Sequence, residues 1–215
     1  QSLVAGQRLE LESEAPLPTI RPAKLKGFEL LHLEEDLLAC SKPAGVAIEG
    51  DREASGEELP LRAAVLHALR QAGRDPLPRP RFVHRLDKDT SGVLLVALNH
   101  ATMQSLSAQL AGETESRIEK SYLALVHGRL AEAEGRVEAP LLVHSGKHYG
   151  SSDPLLLSKL KRGYVPSRRE ERPLLARLAL HAERLRFAGP QGPLEIEAPL
   201  PKDLRVTLKQ LQKLS

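Results

Sequence analysis

The chain has 215 residues, of which 41% are hydrophobic, 3% are aromatic and none is Trp, so we expect a globular protein with an aliphatic core rather than a disordered chain. The single cysteine, Cys40, excludes an internal disulfide and a metal site built from several cysteines. The net charge is +3, no apolar run approaches the ~20 residues that cross a bilayer and no secretory signal is visible, so we expect a cytoplasmic protein outside the membrane.

The first 27 residues are polar and interrupted by proline, which predicts an extended lead-in before the folded domain. Because the chain begins with Gln rather than Met, we also expect a preceding segment that is missing from it. Residues 28–45, FELLHLEEDLLACSKPAG, contain two short apolar runs separated by acidic residues and closed by a turn, which predicts a pair of strands. Residues 59–73 repeat apolar side chains at helical spacing and end at Gly73, which predicts a helix.

The middle of the chain combines a polar segment with an apolar strand. VHRLDKDTSG, residues 83–92, runs into GVLLVALN, whose continuous apolar side chains predict a strand that is buried on both faces. NHATMQSLSAQLAG predicts a helix with Asn99 as the N-cap residue and Gly112 at its end. EKSYLALVHGRL, LALHAERLRFAG and PLEIEAPLPKDL predict further strands, and LRVTLKQLQKL predicts a C-terminal helix. This order predicts an α+β fold with a mixed or antiparallel sheet and flanking helices.

The segment 83–92 carries two aspartates that are candidates for chemistry. A carboxylate can act as a nucleophile, a general base, a metal ligand or a cap of a turn. The hydroxyls and glycine of the Thr-Ser-Gly tail favour a tight turn that holds the aspartates at the mouth of the sheet. In the simpler interpretation, Asp87 and Asp89 only cap this turn and pair with Arg85 and Lys88.

Two other functional interpretations of the segment fail on the sequence. A protein-kinase catalytic loop also contains His-Arg-Asp, but here the aspartate comes one position late and no glycine-rich loop or Asp-Phe-Gly is present. His84 and Asp87 could share a metal, but the following turn and strand supply no third ligand.

The segment VHRLDKDTSGVLLVALN resembles the signature of the RluA-type pseudouridine synthases, whose HRLD-x-x-TSG element holds the catalytic aspartate. EEDLLACSKPAGVAI, EKSYLALVHGRL, RPLLARLALHAERLRFAGP and LEIEAPLPKDL resemble further parts of the same catalytic domain. The resemblance covers most of residues 28–212 and implies one catalytic domain over 28–215. It implies isomerisation of uridine to pseudouridine in structured RNA, with rRNA favoured over tRNA, by a monomer without a metal or cofactor. SLVAGQRLEL in the lead-in resembles, faintly, the last strand of an S4-type RNA-binding domain.

The resemblance also implies roles for individual residues in the reaction. Asp87 takes the place of the catalytic carboxylate, and Tyr122 that of the tyrosine that lies against the target uracil. Arg85 takes the place of the arginine that enters the space left by the flipped nucleotide, since its planar cation can stack and neutralise phosphate.

Four further residues are expected to serve RNA binding. His84 is expected to position the signature segment, and Lys42 is expected to be either structural or directed toward RNA. Lys161 and Arg162 belong to a basic stretch that suits a polyanion, although a solvated surface would explain it as well. The stretch comprises Lys159, Lys161, Arg162, Arg168, Arg169, Arg172 and Arg177.

One part of the family pattern is absent. The family has a motif resembling R-T-H-Q-I-R, whose arginine pairs with the catalytic aspartate, and no such sequence occurs here. The chain passes from VEAPLLVHSGKH to YGSSDPLLLSKLKRGY with a junction near residues 148–150, and we expect that a segment is omitted there. Arg117, Arg168 or Arg177 could replace the missing arginine only if the fold happened to bring one of them to Asp87, and the sequence selects none of them.

An alternative function stays open if the segment is truly deleted. The chain would then be a catalytically inactive RNA-binding or ribosome-assembly factor on the same fold. The joint presence of Asp87, Tyr122 and Arg85 favours the enzyme, because a protein that only binds RNA has no chemical need for all three.

Overall fold

Strands and helices follow one another in the order that the sequence predicts, with two short additions that it does not predict, the strand Arg81–Phe82 and the helix Leu157–Leu160. The computed structural model describes residues 20–48, 60–74, 80–126, 128, 131–136, 154–161, 163–165 and 170–214. The strands are β1 Glu29–Leu33, β2 Leu37–Lys42, β3 Arg81–Phe82, β4 Ser91–Ala97, β5 Glu119–Ala124, β6 Leu180–Gly189 and β7 Gly192–Glu197. The helices are α1 Pro60–Gln71, α2 His100–Ala111, α3 Leu157–Leu160 and α4 Lys202–Gln212.

Strands β2 and β4 form the centre of the sheet, and every residue of both strands is buried. Val93 and Leu95 share a core cluster with Leu106 of α2, whereas Leu94 and Val96 share a second cluster with α1. The two helices therefore cover opposite faces of the sheet. The prediction that the apolar run after residue 92 is buried on both faces is confirmed.

The junction between β4 and β6 is parallel and short. It consists of two residue pairs, Ser91 with His181 and Gly92 with Ala182, whereas all other strand pairs described are antiparallel. Gly92 has a φ of +125°, and a Cβ atom there would lie 2.0 Å from the carbonyl oxygen of Ala182. Only glycine fits this approach of the two backbones. The sheet is therefore mixed, as expected.

Strand β6 also pairs with β7 and with β5, which lies at the end of the strand order β1-β2-β4-β6-β5. Five of the six residues of β5 are exposed. The sheet thus changes from a centre that is covered on both faces to an edge that is open to solvent.

The helix boundaries follow the predicted signals. The side chain of Asn99 accepts a hydrogen bond from the Thr102 amide at 2.8 Å, and Gly112 ends α2 with a φ of 72°. Both caps are confirmed. Within the described residues, no helix combines the length and hydropathy that crossing a membrane requires.

Part of the predicted lead-in belongs to the folded domain. Residues 20–27, which were counted with the lead-in, contact the domain, since the Ala23 amide donates to the carbonyl of Ala63 at 3.1 Å and Leu25 packs against the α1 core. The segment that resembles an S4-type domain and the junction near 148–150 lie outside the described residues, so both stay predictions.

Candidate active site

The segment 83–92 forms the connection that leads from β3 into β4. The amide of Thr90 donates to the carbonyl of Asp87 at 3.1 Å and closes a tight turn. The side chains of Leu86 and Thr90 are buried, whereas the charged side chains between them are exposed. The turn therefore has buried anchors and presents its acidic groups to solvent.

Asp87 and Tyr122 are brought together where β4, β6 and β5 meet, since Tyr122 pairs with Ala182 and Ala182 pairs with Gly92 at the end of the turn. The Asp87 carboxylate is exposed and forms no hydrogen bond or ion pair with a described residue. Partial burial, and to a smaller extent the negative charge of Asp87, raise the pKa of the Tyr122 phenol, which is 42% exposed. The fold therefore brings the predicted carboxylate and tyrosine within electrostatic reach of each other, from the turn before β4 and from the edge strand β5.

Lys42 does not face RNA in this structure, which corrects that part of the expectation. Its side chain is 0% exposed, and its ammonium group donates to the carbonyls of Pro43 at 2.9 Å, Val46 at 2.8 Å and Lys88 at 2.9 Å. All three donors of the ammonium group are used, so none is left for a phosphate. Lys42 joins the turn after β2 to the turn before β4.

The charge of Lys42 still acts on the site. Burial lowers the pKa of Lys42 to about 8, and the carboxylates of Asp89 and Asp87 partly oppose this effect. At neutral pH the group is mostly an ammonium ion, so a buried positive charge lies behind the two exposed carboxylates.

His84 supports the backbone instead of presenting its ring to a ligand. The amide of Leu95 donates to Nε2 of His84 at 3.2 Å. In the neighbouring contact, the Val83 amide donates to the Leu95 carbonyl at 2.9 Å. Burial lowers the pKa of His84 to about 4, so the ring is neutral at pH 7 and carries its proton on Nδ1. This geometry agrees with a positioning role.

The interpretation in which the aspartates only brace the turn is not supported. Within the described residues, no ion pair joins Asp87 or Asp89 to Arg85 or Lys88. The turn is held mainly through main-chain atoms, since the carbonyl of Lys88 also accepts a hydrogen bond from the Gly45 amide at 2.8 Å.

Arg177 lies beside the turn, although the sequence places it in the basic stretch. Its side chain is only 11% exposed and pairs with Asp203 of α4, with 2.6 Å between Nε and Oδ2. Its Nη1 donates to the main-chain carbonyl of Asp89 at 3.1 Å. Neither residue was selected from the sequence, because no local pattern links them to the turn.

A buried polar chain continues from Arg177 into the sheet. Nη2 of Arg177 donates to the Ser91 hydroxyl at 3.4 Å, and this hydroxyl lies 3.0 Å from Nδ1 of His181. Because Nε2 of His181 faces the carbonyl of Ala198 at 3.2 Å, Nε2 carries the proton and Nδ1 accepts from Ser91. Burial lowers the pKa of His181, which keeps this ring neutral as well.

The remaining predicted residues take no part in these contacts. Arg85 is exposed and has no hydrogen-bond or ion-pair partner among the described residues. Lys161 is exposed at the end of the one-turn helix α3 and shares no described contact with the turn. Arg162 lies outside the described residues. No group of three or more His, Cys, Asp or Glu side chains suited to a metal ion occurs in the described part of the chain.

Comparison with known proteins finds a family match that includes the turn. The sequence profile of the RNA pseudouridylate synthase family matches residues 36–196, about three quarters of the chain. This chain belongs to that family. The matched region contains the turn and all the strands from β3 to β6, so family membership and the candidate site concern the same part of the fold.

Several curated members of the family are similar in sequence. Ribosomal large subunit pseudouridine synthase C of Escherichia coli K12 is 38% identical over 136 residues, which cover 62% of this chain and 38% of that protein. An uncharacterized RNA pseudouridine synthase of Synechocystis is 30% identical over 162 residues, which cover 75% of this chain and 47% of that protein. The chain thus spans less than half the length of either relative.

Solved structures agree on the fold. Human RNA pseudouridylate synthase domain containing 1 aligns with a TM-score of 0.51 and 23% identity over 91% of this chain and 97% of that chain. Human RNA pseudouridylate synthase domain containing 4 aligns with a TM-score of 0.52 and 15% identity over 85% and 92% of the two chains. The predicted α+β fold of the pseudouridine-synthase type is confirmed.

Proposed function

We propose that the chain contains the catalytic domain of an RNA pseudouridine synthase that acts on rRNA, with Asp87 as the catalytic carboxylate. The observation that carries the proposal is the register of the sheet, which brings Tyr122 beside Ala182 and Ala182 beside Gly92, at the end of the turn that presents the exposed Asp87. Membership of the family supports the reaction class, and the printed name of the E. coli relative supports rRNA over tRNA.

The proposed reaction is an isomerisation that needs no external electron donor or acceptor. The N1–C1′ bond of uridine breaks, the uracil turns, a C5–C1′ bond forms, and the proton on C5 is lost while N1 becomes protonated. A carboxylate suits this sequence because it can attack the sugar or the base, or assist proton loss at C2′ and C5. Asp87 is the group proposed for these tasks.

Tyr122 and Arg85 complete the proposed site. The phenol of Tyr122 would stack on the uracil, and its raised pKa keeps it protonated near neutral pH. A base inside a helix must leave the stack before an enzyme can reach it. The exposed guanidinium of Arg85 is proposed to fill the space that the base leaves. The monomer implied by the family resemblance stays a prediction, and an rRNA substrate supports a cytoplasmic location.

The decisive experiment compares Asp87→Asn with Asp89→Asn. The substrate is a large-subunit rRNA transcript that carries tritium at C5 of uridine, so each isomerisation releases tritium to water. Asp87→Asn should reduce the release rate by about 10²–10⁴-fold, the usual contribution of a positioned acid or base. RNA affinity should stay unchanged, because the substitution preserves the shape of the side chain.

Asp89→Asn is the matched control, since it removes the same charge two residues away on the same turn. It should keep most of the activity. Equal losses in the two variants, or full activity of Asp87→Asn, would contradict the assignment of Asp87. A wild-type chain that binds the transcript but releases no tritium would instead favour the inactive RNA-binding alternative.

A further inference from the structure

We propose that Arg177 and Asp203 are positioning residues that fix the turn carrying Asp87 onto the C-terminal part of the fold. The inference rests on the proposed function, because these two residues are proposed to hold the catalytic Asp87 in position. Arg177 and Asp203 connect two regions that the sequence gives no reason to associate, the signature turn and the first turn of α4.

The guanidinium of Arg177 is oriented by Asp203. Nε lies 2.6 Å from Oδ2 and Nη2 lies 3.1 Å from Oδ1, which is the two-point geometry of an arginine-carboxylate pair. Asp203 is itself held at the start of α4, since its Oδ1 accepts a hydrogen bond from the Leu204 amide at 2.8 Å. The planar cation therefore has little freedom to rotate.

The other edge of the guanidinium reaches the turn. Nη1 donates to the Asp89 carbonyl at 3.1 Å, and Nη2 makes a longer contact of 3.4 Å with the Ser91 hydroxyl. Nη1 also donates to the carbonyl of Leu178 at 2.9 Å, which fixes the start of β6. One side chain thus joins α4, β6 and the turn.

The turn is held by two cations, the buried Lys42 and the largely buried Arg177, that act on neighbouring carbonyls. From the β2 side, Lys42 donates to the carbonyl of Lys88, and from the β6 side, Arg177 donates to the carbonyl of Asp89. Asp87 directly precedes these two residues. Loss of either cation would allow the peptide next to Asp87 to move.

The contribution of Arg177 matters because the strand pairing on its side is short. Only two residue pairs connect β4 to β6, whereas six connect β4 to β2. A displacement of about 1 Å at a catalytic group can cost about 100-fold in rate, so a contact that prevents a small shift has a large effect on turnover.

The test uses Arg177→Lys and Asp203→Asn in the full chain. Lysine keeps the positive charge but has no planar fork. Asparagine removes the carboxylate charge but keeps an oxygen that can accept from the Leu204 amide. The matched controls are Arg186→Lys and Glu195→Gln, an exposed pair between β6 and β7 that does not contact the turn.

Two experiments are made, steady-state kinetics on the tritiated transcript, which gives kcat and KM, and amide hydrogen exchange in a peptide covering 83–92. Both test variants should lower kcat by about 10- to 100-fold with KM changed less than about threefold, because the turn moves while the RNA-binding surface is retained. Exchange at the Thr90 amide, which donates to the Asp87 carbonyl, should be faster in both. The control pair should match the wild type in both measurements.

The outcomes separate this inference from the proposed function. Full kcat in Arg177→Lys would overturn the need for the planar fork, and unchanged exchange in both variants would overturn the positioning contact. A lower melting temperature with unchanged kcat would show that Arg177 and Asp203 only stabilise the fold, and this result would also overturn the inference. An inactive wild type would refute the proposed function, and the exchange measurement would still decide whether Arg177 holds the turn.

Discussion

The two sides of β4 are built very differently, although both support the same turn. On one side, β2 pairs with β4 over six residue pairs, and all residues of both strands are buried between α1 and α2. On the other side, β6 pairs with β4 over two residue pairs at the start of the strand, and β3 pairs with β4 over two residue pairs at its end. Beyond β6, the edge strand β5 has five of six residues exposed.

This difference shows which contacts of the site are redundant and which stand alone. A break in one contact of the β2 side leaves many others in the same ladder and core. The β6 side relies on a few specific features, mainly the backbone approach at Gly92 and the side chain of Arg177. We therefore expect single substitutions to be most severe where β4 meets β6.

The largest expected effect is that of Gly92→Ala. The new methyl group would lie 2.0 Å from the Ala182 carbonyl oxygen, and the φ of +125° would strain any residue with a Cβ atom. Backbone atoms on both strands would have to separate, so the free energy of unfolding should fall by more than about 4 kcal/mol. Urea denaturation followed by circular dichroism measures this loss.

Gly192→Ala is the matched control for that substitution. Gly192 has a similar φ of +136°, but no atom lies within 4 Å of the position that its Cβ would occupy. It should lose only about 1–2 kcal/mol, from backbone strain alone. Equal losses in the two variants would mean that the close approach of β4 and β6 adds nothing to the cost of a Cβ atom at residue 92.

The second prediction concerns the far end of the same edge of β4, where β3 pairs with the strand and His84 accepts the Leu95 amide proton. Because burial lowers the pKa of His84 from 6.5 to about 4, the unfolded chain takes up a proton before the folded protein does. Stability is therefore lost as the pH falls from about 6.5 to about 4, by at most roughly 3 kcal/mol. Denaturant titrations at several pH values measure this slope.

His84→Gln removes the titration and keeps an oxygen that can accept the Leu95 amide proton. The variant should be less stable by about 1 kcal/mol at pH 7, from imperfect packing, and should lose less stability than the wild type as the pH falls. All other histidines stay in both proteins, so the difference between the two curves reports His84 alone. Parallel curves would show that His84 titrates normally in the folded protein.

The contrast between the two sides also explains how much the sequence could predict. The β4 run, the α2 caps and the signature turn are local patterns, and each was predicted within a few residues of its position. The burial of Lys42 was not predicted, because one of its partners, Lys88, lies 46 residues away. Arg177 was not selected for the site, because its contact with Asp89 spans 88 residues and no periodicity records such a contact.

The smallest expected effect lies in a local feature outside the junction of β4 and β6, the N-cap of α2. Asn99→Ala removes the side-chain oxygen that accepts the Thr102 amide proton at the start of α2, so the free energy of unfolding should fall by about 1 kcal/mol. Asn99→Asp keeps an acceptor and should lose almost nothing, and Ser105→Ala, an exposed site in the same helix, should be neutral. Hydrogen exchange in 83–92 should stay at the wild-type rate in all three variants, because α2 packs on a face of the sheet through the core around Val93 and Leu95 and not on the turn. Faster exchange in Asn99→Ala would mean that the start of α2 and the turn are energetically coupled.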